Sequence, residues 1–163
     1  MSTSYYSTVI VGVPLKDIYK AEVKTEEKTK YHEDTGKPYK VKVKRLHATF
    51  GNKTLPPVDE RVRERYTYSD SEEFSQDWDF LEKLGLETHL PSSERYTSPE
   101  YVMNHGLVGI AASTVSSRDL EMDEDQPGLT LATLSATADK VKAVLAQFGY
   151  TGEIKVYSQL SWG

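Results

Sequence analysis

The chain contains no cysteine among its 163 residues. Disulfides, thiolate nucleophiles and thiolate metal ligands are therefore all excluded, and a chain without them is suited to a reducing compartment. At this length one hydrophobic core buries roughly 70% of the surface that the unfolded chain exposes, so neither a metal nor a disulfide is needed for stability.

Long apolar runs are also missing. The first fifteen residues, MSTSYYSTVIVGVPL, have no positive charge at their start, and their apolar run ends by Pro14. This run is too short for a secretory signal or a membrane-spanning helix. We therefore expect no membrane partner and a cytoplasmic location.

The common signatures of catalysis and cofactor binding are absent as well. The sequence has no H-E-x-x-H, Walker loop, G-x-G-x-x-G or G-x-S-x-G, and no two histidines stand four residues apart. Serine, threonine and carboxylates are the available nucleophiles, and none has a base beside it in the sequence. No cofactor or metal is expected, and catalysis is unsupported rather than excluded.

What is present indicates a single domain, residues 1–163, of the α+β class. Residues 8–15 and Leu107–Val115 predict buried strands, residues 21–46 predict a hairpin, and residues 154–162 predict a strand with one solvated face. We expect a mainly antiparallel sheet of about five strands, with two main helices and one short helix packed on it.

Helical spacing and capping residues locate the three helices. Phe74, Trp78 and Leu81 recur at helical spacing after a capping box that begins at Ser69 or Asp70, which predicts the first main helix. Ser98 as N-cap with Pro99 behind it predicts the short helix over 99–105. The second main helix has its predicted cap at Ser135 or Thr137 and an apolar stripe of Val141, Val144, Leu145 and Phe148.

The hairpin carries most of the charge that is informative about function. Its turn is predicted at Asp34–Lys37, because Gly36 can adopt a positive φ. A two-residue loop would pair Tyr31 with Lys40, whereas an odd-length loop places Tyr31 opposite Val41 or Tyr39 and leaves one apolar face. We therefore predict an odd-length connection, with the lysines of both strands together on the exposed face. These lysines are Lys28, Lys30, Lys40, Lys42 and Lys44.

Five like charges on one face are unfavourable unless something negative offsets them. Three partners stay open: the protein's own acids, namely Glu22, Glu26 or the acidic loop at about 118–128; an acidic patch on another protein; or a nucleic acid or nucleotide. Tyr31 and Tyr39 could stack on bases, but the net charge of -5 would repel nucleic acid. The five lysines with these two tyrosines form the predicted partner-binding surface.

The stretch LHATF contains a His-x-Thr between apolar residues, His47 and Thr49. It resembles half of the signature of the two-histidine phosphoesterases, in which paired histidines act as acid and base on a phosphate while hydroxyls hold its oxygens. No other histidine of the chain has Ser or Thr two residues later. A phosphoesterase that uses His47 and Thr49 is one alternative, and an ordinary hydrogen-bonded strand histidine is the other.

The acidic loop places Asp119, Glu121, Asp123 and Asp125 at every second position, which is the ligand spacing of a calcium loop. The match fails at the sixth position, Glu124, where the turn requires glycine, and at the twelfth, Thr130, where a bidentate Glu is required. A solvated loop is the favoured interpretation.

The segment KYHEDTGKPYKVKV is similar to hairpins of small uncharacterised bacteriophage proteins. That resemblance covers about 15 residues, and it implies an accessory protein that binds and modulates a host protein. We therefore predict a non-enzymatic protein-interaction module, with a binder of small anionic ligands such as nucleotides as a further alternative.

Overall fold

The computed structural model describes residues 5–61, 73–90, 98–116 and 129–162. Strands and helices in these ranges confirm the α+β class, and all of their strand pairs are antiparallel. The expectation of one five-stranded sheet is wrong, because the eight strands of the described ranges divide into two sheets. The acidic loop at 118–128 lies outside the described residues. In chain order the elements are β1 (Tyr5–Pro14), β2 (Tyr19–Tyr31), β3 (Pro38–Phe50), β4 (Lys53–Thr54), β5 (Val58–Asp59), α1 (Asp79–Glu82), β6 (Glu87–His89), α2 (Pro99–His105), β7 (Leu107–Ser116), α3 (Leu131–Ala146) and β8 (Lys155–Trp162).

The first sheet has the strand order β6-β7-β1-β8. At its centre, Gly12 and Gly109 face each other across β1 and β7. A Cβ at either position would lie 2.1 Å from a backbone oxygen of the neighbouring strand. The sequence therefore needs glycine at both positions, since any side chain would force these two central strands apart.

The second sheet is built on the long β2–β3 hairpin, and the short strands β4 and β5 both pair with β3. The start of β2 and the end of β3 pack into the core, where Tyr19, Leu46, Ala48 and Phe50 are buried. This half of the hairpin alternates apolar with polar residues, as expected of a sheet with one solvated face.

One hydrophobic core joins the two sheets. Phe50 of β3 meets Phe80 and Phe148 edge-to-face, with ring centroids 5.5 and 5.1 Å away. Two backbone hydrogen bonds reinforce the contact: the Gly51 N–H donates to the Ile18 carbonyl, and the Asn52 N–H donates to the Phe148 carbonyl. The hairpin base is therefore held rigidly against the rest of the molecule.

The short helix begins and ends as predicted, since α2 covers Pro99–His105 and the Ser98 hydroxyl accepts a hydrogen bond from the Tyr101 N–H. The prediction of the first main helix is wrong for the described residues 73–90. Phe74 lies in an isolated bridge, and in this range only Asp79–Glu82 is helical. The Asp77 carboxylate accepts from the Asp79 N–H, a local bond that competes with helix just before α1. Ser69 and Asp70 lie outside the described residues.

The second main helix is confirmed, with Val141 and Leu145 buried on its inner face. Its predicted caps, Ser135 and Thr137, are wrong, because the helix begins about one turn earlier. Thr130 is the N-cap, and its hydroxyl accepts from the Thr133 N–H at 3.1 Å.

Candidate functional site

The outer half of the β2–β3 hairpin, residues 24–45, projects beyond the core and is called the arm below. None of its side chains is buried, whereas Leu46 directly after it is. The arm carries eight basic and four acidic residues, an excess of four positive charges, while the rest of the chain has an excess of nine negative charges. A basic, solvated ribbon thus extends from an acidic body.

The register of the arm differs from the predicted one. Tyr31 pairs with Pro38, so the connection spans six residues, an even number. The turn closes through two hydrogen bonds: the His32 N–H donates to the Lys37 carbonyl, and the Gly36 N–H donates to the His32 carbonyl. Gly36 has φ +63°, as predicted. The predicted odd-length connection is therefore wrong.

Packing at the hairpin base explains the observed register, because it sets Tyr19 opposite Phe50 with both side chains in the core.

The same register also limits contacts between like charges in the outer half of the hairpin. In either odd-length alternative, each lysine at the end of β2 would stand directly opposite a lysine of β3. In the structure, Lys28 instead faces Val41, and Lys30 faces Tyr39. The apolar stems of the lysines can then cover their neighbours across the strands while the ammonium groups stay in water. Core packing at the base thus fixes the register, and one like-charge pair, Lys24 opposite Arg45, remains in the arm.

This register separates the five predicted lysines onto opposite faces of the arm, because directly paired residues share a face. The two faces are called the front face and the back face. The front face, on the side of the buried base residues, carries Thr25, Glu27, Thr29, Tyr31, Lys40, Lys42 and Lys44. The back face carries Lys24, Glu26, Lys28, Lys30, Tyr39, Val41, Val43 and Arg45.

The predicted single lysine surface is therefore not assembled: Lys28, Lys30 and Tyr39 lie on the back face, and the other four predicted residues lie on the front. Some of these charges also meet the protein's own acids. The Lys28 ammonium lies 3.6 Å from the Asp59 carboxylate, and the Lys40 ammonium lies 3.3 Å from the Glu27 carboxylate. Exposed pairs of this kind contribute only about 0–1 kcal/mol each, so they leave the arm open to a competing partner.

An ion-pair network locks the back face at the root of the arm. The Arg45 guanidinium donates to Asp59 of β5 at 2.9 Å and to Glu26 at 3.3 Å. The other Glu26 oxygen bonds to the His47 ring. The His47 bond, followed by the Arg45 contacts, lowers the pKa of Glu26. The network ties three strands together where the arm leaves the core.

Arg45 and Asp59 were missed by reasoning from the sequence. The only local signal is a single β-branched residue, Val58, which follows two prolines. Proline beside a short extended segment is typical of an edge strand. That signal indicates a strand but not its partner, so it could not place Asp59 beside Arg45.

His47 and Thr49 lie two residues apart on the back face and line one cleft of about 360 Å³. Lys20, Lys24 and Thr54 line the same cleft together with Glu22, whose carboxylate lies 3.7 Å from the Lys24 ammonium, so cations, hydroxyls and one carboxylate converge there. His47 is the one histidine among the described lining residues, and Glu26 already bonds to it. The described part of the site thus holds half of a two-histidine arrangement.

A larger cleft of about 500 Å³ opens where β2 and α2 meet α1. Tyr19 and Trp78 form an aromatic pair on its wall, with ring centroids 5.0 Å apart, and the Tyr19 hydroxyl donates to Gln76 at 3.2 Å. Burial raises the pKa of the Tyr19 hydroxyl. No feature of the sequence predicted this cleft, because its walls come from segments far apart in the chain.

Within residues 5–61, 73–90, 98–116 and 129–162, no group of His, Asp or Glu side chains is arranged to hold a metal ion. No helix in the described ranges has the length and apolar character needed to cross a bilayer. No protein-family model, curated protein or solved structure matches the chain.

Proposed function

We propose that the chain is a non-enzymatic protein-interaction module and that the front face of the arm is its contact surface. The observation that carries the proposal is the row formed by Lys40, Lys42 and Lys44, three cations on one exposed strand face beyond the core. Tyr31, which is 66% exposed, stands at the outer end of this face. Tyrosine and cations side by side suit a protein surface with an acidic patch.

The charge layout supports the same partner chemistry. A basic arm on an acidic body directs the arm toward an anionic surface while the body repels it, so an encounter would be oriented before contact. Nucleic acid is a weaker candidate, because the body's negative charge opposes a phosphate backbone on every side of the arm. The hairpin's resemblance to small bacteriophage proteins extends the proposal to an accessory protein that modulates a host protein in the host cytoplasm.

A pair of double variants tests the surface. Lys40→Glu with Lys42→Glu reverses the front face, and Lys24→Glu with Lys30→Glu makes the same change in charge on the back face. After affinity capture and mass spectrometry identify an acidic partner, we expect the front variant to weaken its binding by at least about tenfold, measured by calorimetry. The back variant should bind nearly as well as the unmodified protein.

Circular dichroism must show that both variants remain folded. Equal loss of binding in the two variants would show that net charge rather than the front face drives the contact. Full binding by the front variant would contradict the proposal.

A second candidate function, binding of a small anionic ligand, is favoured by the convergence of Lys20, Lys24, Thr49 and Thr54 on the cleft beside His47. Inorganic phosphate and nucleotides are the probes. Ligand binding should raise the melting temperature, and Thr49→Val should abolish that rise. A two-histidine phosphoesterase has less support, because the described cleft lining contains His47 alone.

A further inference from the structure

The outer edges of the two sheets differ in how well they are protected against pairing with another strand. In the second sheet, the outer edge of β2 carries seven charged residues in thirteen. In the first sheet, β6 is only three residues long. Charge and shortness are two of the means by which edge strands avoid pairing with other chains.

The β8 edge has neither protection. The strand is eight residues long, contains no proline, and has one charged residue, Lys155 at its first position. Among the described strands, β1 alone pairs with it, so its other edge presents unpaired N–H and C=O groups within the described part of the fold. A long, uncharged, unpaired edge is the usual platform for strand addition.

Apolar side chains also line this edge. Val156 is 55% exposed and Leu160 is 59% exposed. Val156 pairs with Val11, which is fully buried, so both lie on the core side of the sheet. α3 packs against β1 and β7 on that side, and Val156 and Leu160 of β8 remain exposed. An added strand would thus gain both backbone hydrogen bonds and apolar contacts.

The spacing of these residues fits a second copy of β8 as the added strand. Val156 and Leu160 are four residues apart, with Ser158 midway between them. If β8 pairs with itself about a two-fold axis through Ser158, each Val156 stands opposite Leu160 of the second copy. An axis through Ser158 is the one that sets these two exposed side chains, Val156 and Leu160, opposite each other.

We propose that β8 pairs antiparallel with β8 of a second copy of this chain, with Ser158 on the two-fold axis. The two first sheets then form one continuous eight-stranded sheet. Both α3 helices lie on the same side of it, and the four apolar side chains pack between them. This surface is separate from the arm, so the dimer and the proposed function can fail independently.

The absence of cysteine makes a cross-linking test clean. Ser158→Cys introduces a single thiol, and on the axis it stands directly opposite its own copy. Opposed residues in antiparallel pairs have Cα atoms about 4.5 or 5.5 Å apart, within the range of a disulfide. Under mild oxidation we expect this variant to form a disulfide-linked dimer far faster than Lys83→Cys, an exposed control in the α1 turn.

Sedimentation velocity provides the second measurement. The unmodified protein should shift from monomer to dimer as its concentration rises. Leu160→Lys places a charge directly opposite Val156 of the second copy and should raise the dimer dissociation constant by at least about tenfold. Tyr31→Lys makes the same substitution type at an exposed position on the arm and should leave the dimer unchanged.

A monomer at every concentration, or equal cross-linking of the two cysteine variants, would overturn the proposal and leave the edge available to a strand of another protein. Loss of the dimer in Tyr31→Lys but not in Leu160→Lys would place self-association on the arm and would also overturn it. Circular dichroism should show that Leu160→Lys is folded, because the leucine side chain is mainly exposed in the unmodified protein.

Discussion

Glu26 is the residue on which the root of the arm depends. Its two oxygens bind side chains of the neighbouring strand, Arg45 through one and His47 through the other. Both partners favour the ionised carboxylate, which is why the pKa of Glu26 is lowered. The folded protein therefore favours the ionised carboxylate of Glu26 more than the unfolded chain does, so this charge raises the free energy of unfolding.

The first prediction follows from that gain. Because the folded pKa is depressed, the contribution of Glu26 is fully present above its ordinary pKa of 4.5 and is lost as pH falls through the lower folded value. Glu26→Gln should therefore lower the free energy of unfolding at pH 7, and the deficit should shrink below about pH 4.5. Urea unfolding across this pH range measures it. Glu22→Gln, which removes the same charge from an exposed side chain, is the control. A deficit of constant size would contradict the assignment.

At the scale of single residues, the sequence predicted backbone requirements that depend on one position. It did not predict which residues meet across neighbouring strands. Gly36 was identified correctly, because the need for a positive φ in a tight turn is a property of that position alone. The Glu26–Arg45–Asp59 network could not be derived, since it depends on the register of β2 with β3 and on β5 joining the same sheet.

At the scale of elements, α3 shows how one capping residue sets the length of a helix. Thr130 lies ahead of the alanine- and threonine-rich first turn, and its hydroxyl satisfies the Thr133 N–H. The apolar stripe that predicts the helix begins further along, at Val141, so the stripe locates its second half and not its start.

The second prediction concerns that cap. Thr130→Ala should lower the free energy of unfolding by about 1 kcal/mol, because an N–H group at the start of α3 loses its acceptor. Ser135→Ala changes the residue that the sequence favoured as a cap and should be nearly neutral, since Ser135 is an exposed position inside the helix. Chemical unfolding of both variants measures the difference. Equal costs would contradict the assigned helix start.

The arm itself is an element whose stability comes from its base. A two-stranded ribbon is marginally stable in water, and this one has no buried side chain between residues 24 and 45. Its anchoring residues, Tyr19, Leu46 and Phe50, lie in the core. Flexibility toward the tip is compatible with docking on a partner, while the rigid base transmits the direction in which the arm projects.

At the scale of the whole molecule, one hydrophobic core joins the two sheets, and aromatic contacts attach the second sheet to the helical segments within that core. Phe50 of the second sheet packs against Trp78, Phe80 and Phe148, which come from the segments around α1 and after α3. The core is one cluster drawn from both sheets, so neither sheet buries its apolar face alone.

The third prediction tests this coupling. Phe50→Ala should lower the free energy of unfolding by about 3–5 kcal/mol, because it removes a fully buried ring and leaves a cavity between the sheets. Unfolding should still be a single transition, with the far-ultraviolet and tryptophan signals coincident. The control is Tyr31→Ala, which removes an exposed ring and should cost little. Two separate transitions in the unmodified protein would show that the sheets fold independently.

Properties encoded locally were determined by the sequence alone: the α+β class, the strands β1, β7 and β8, the helix α2, the apolar stripe of α3 and the basic character of the hairpin. Each rests on periodicity, capping or charge within one short segment. Tertiary structure decided the rest: the division into two sheets, the shortness of α1, the register of the arm and the separation of its lysines onto two faces. These depend on which segments meet in space, where packing of the hairpin base around Phe50 and the pairing of β5 outweigh the preferences that any single segment expresses.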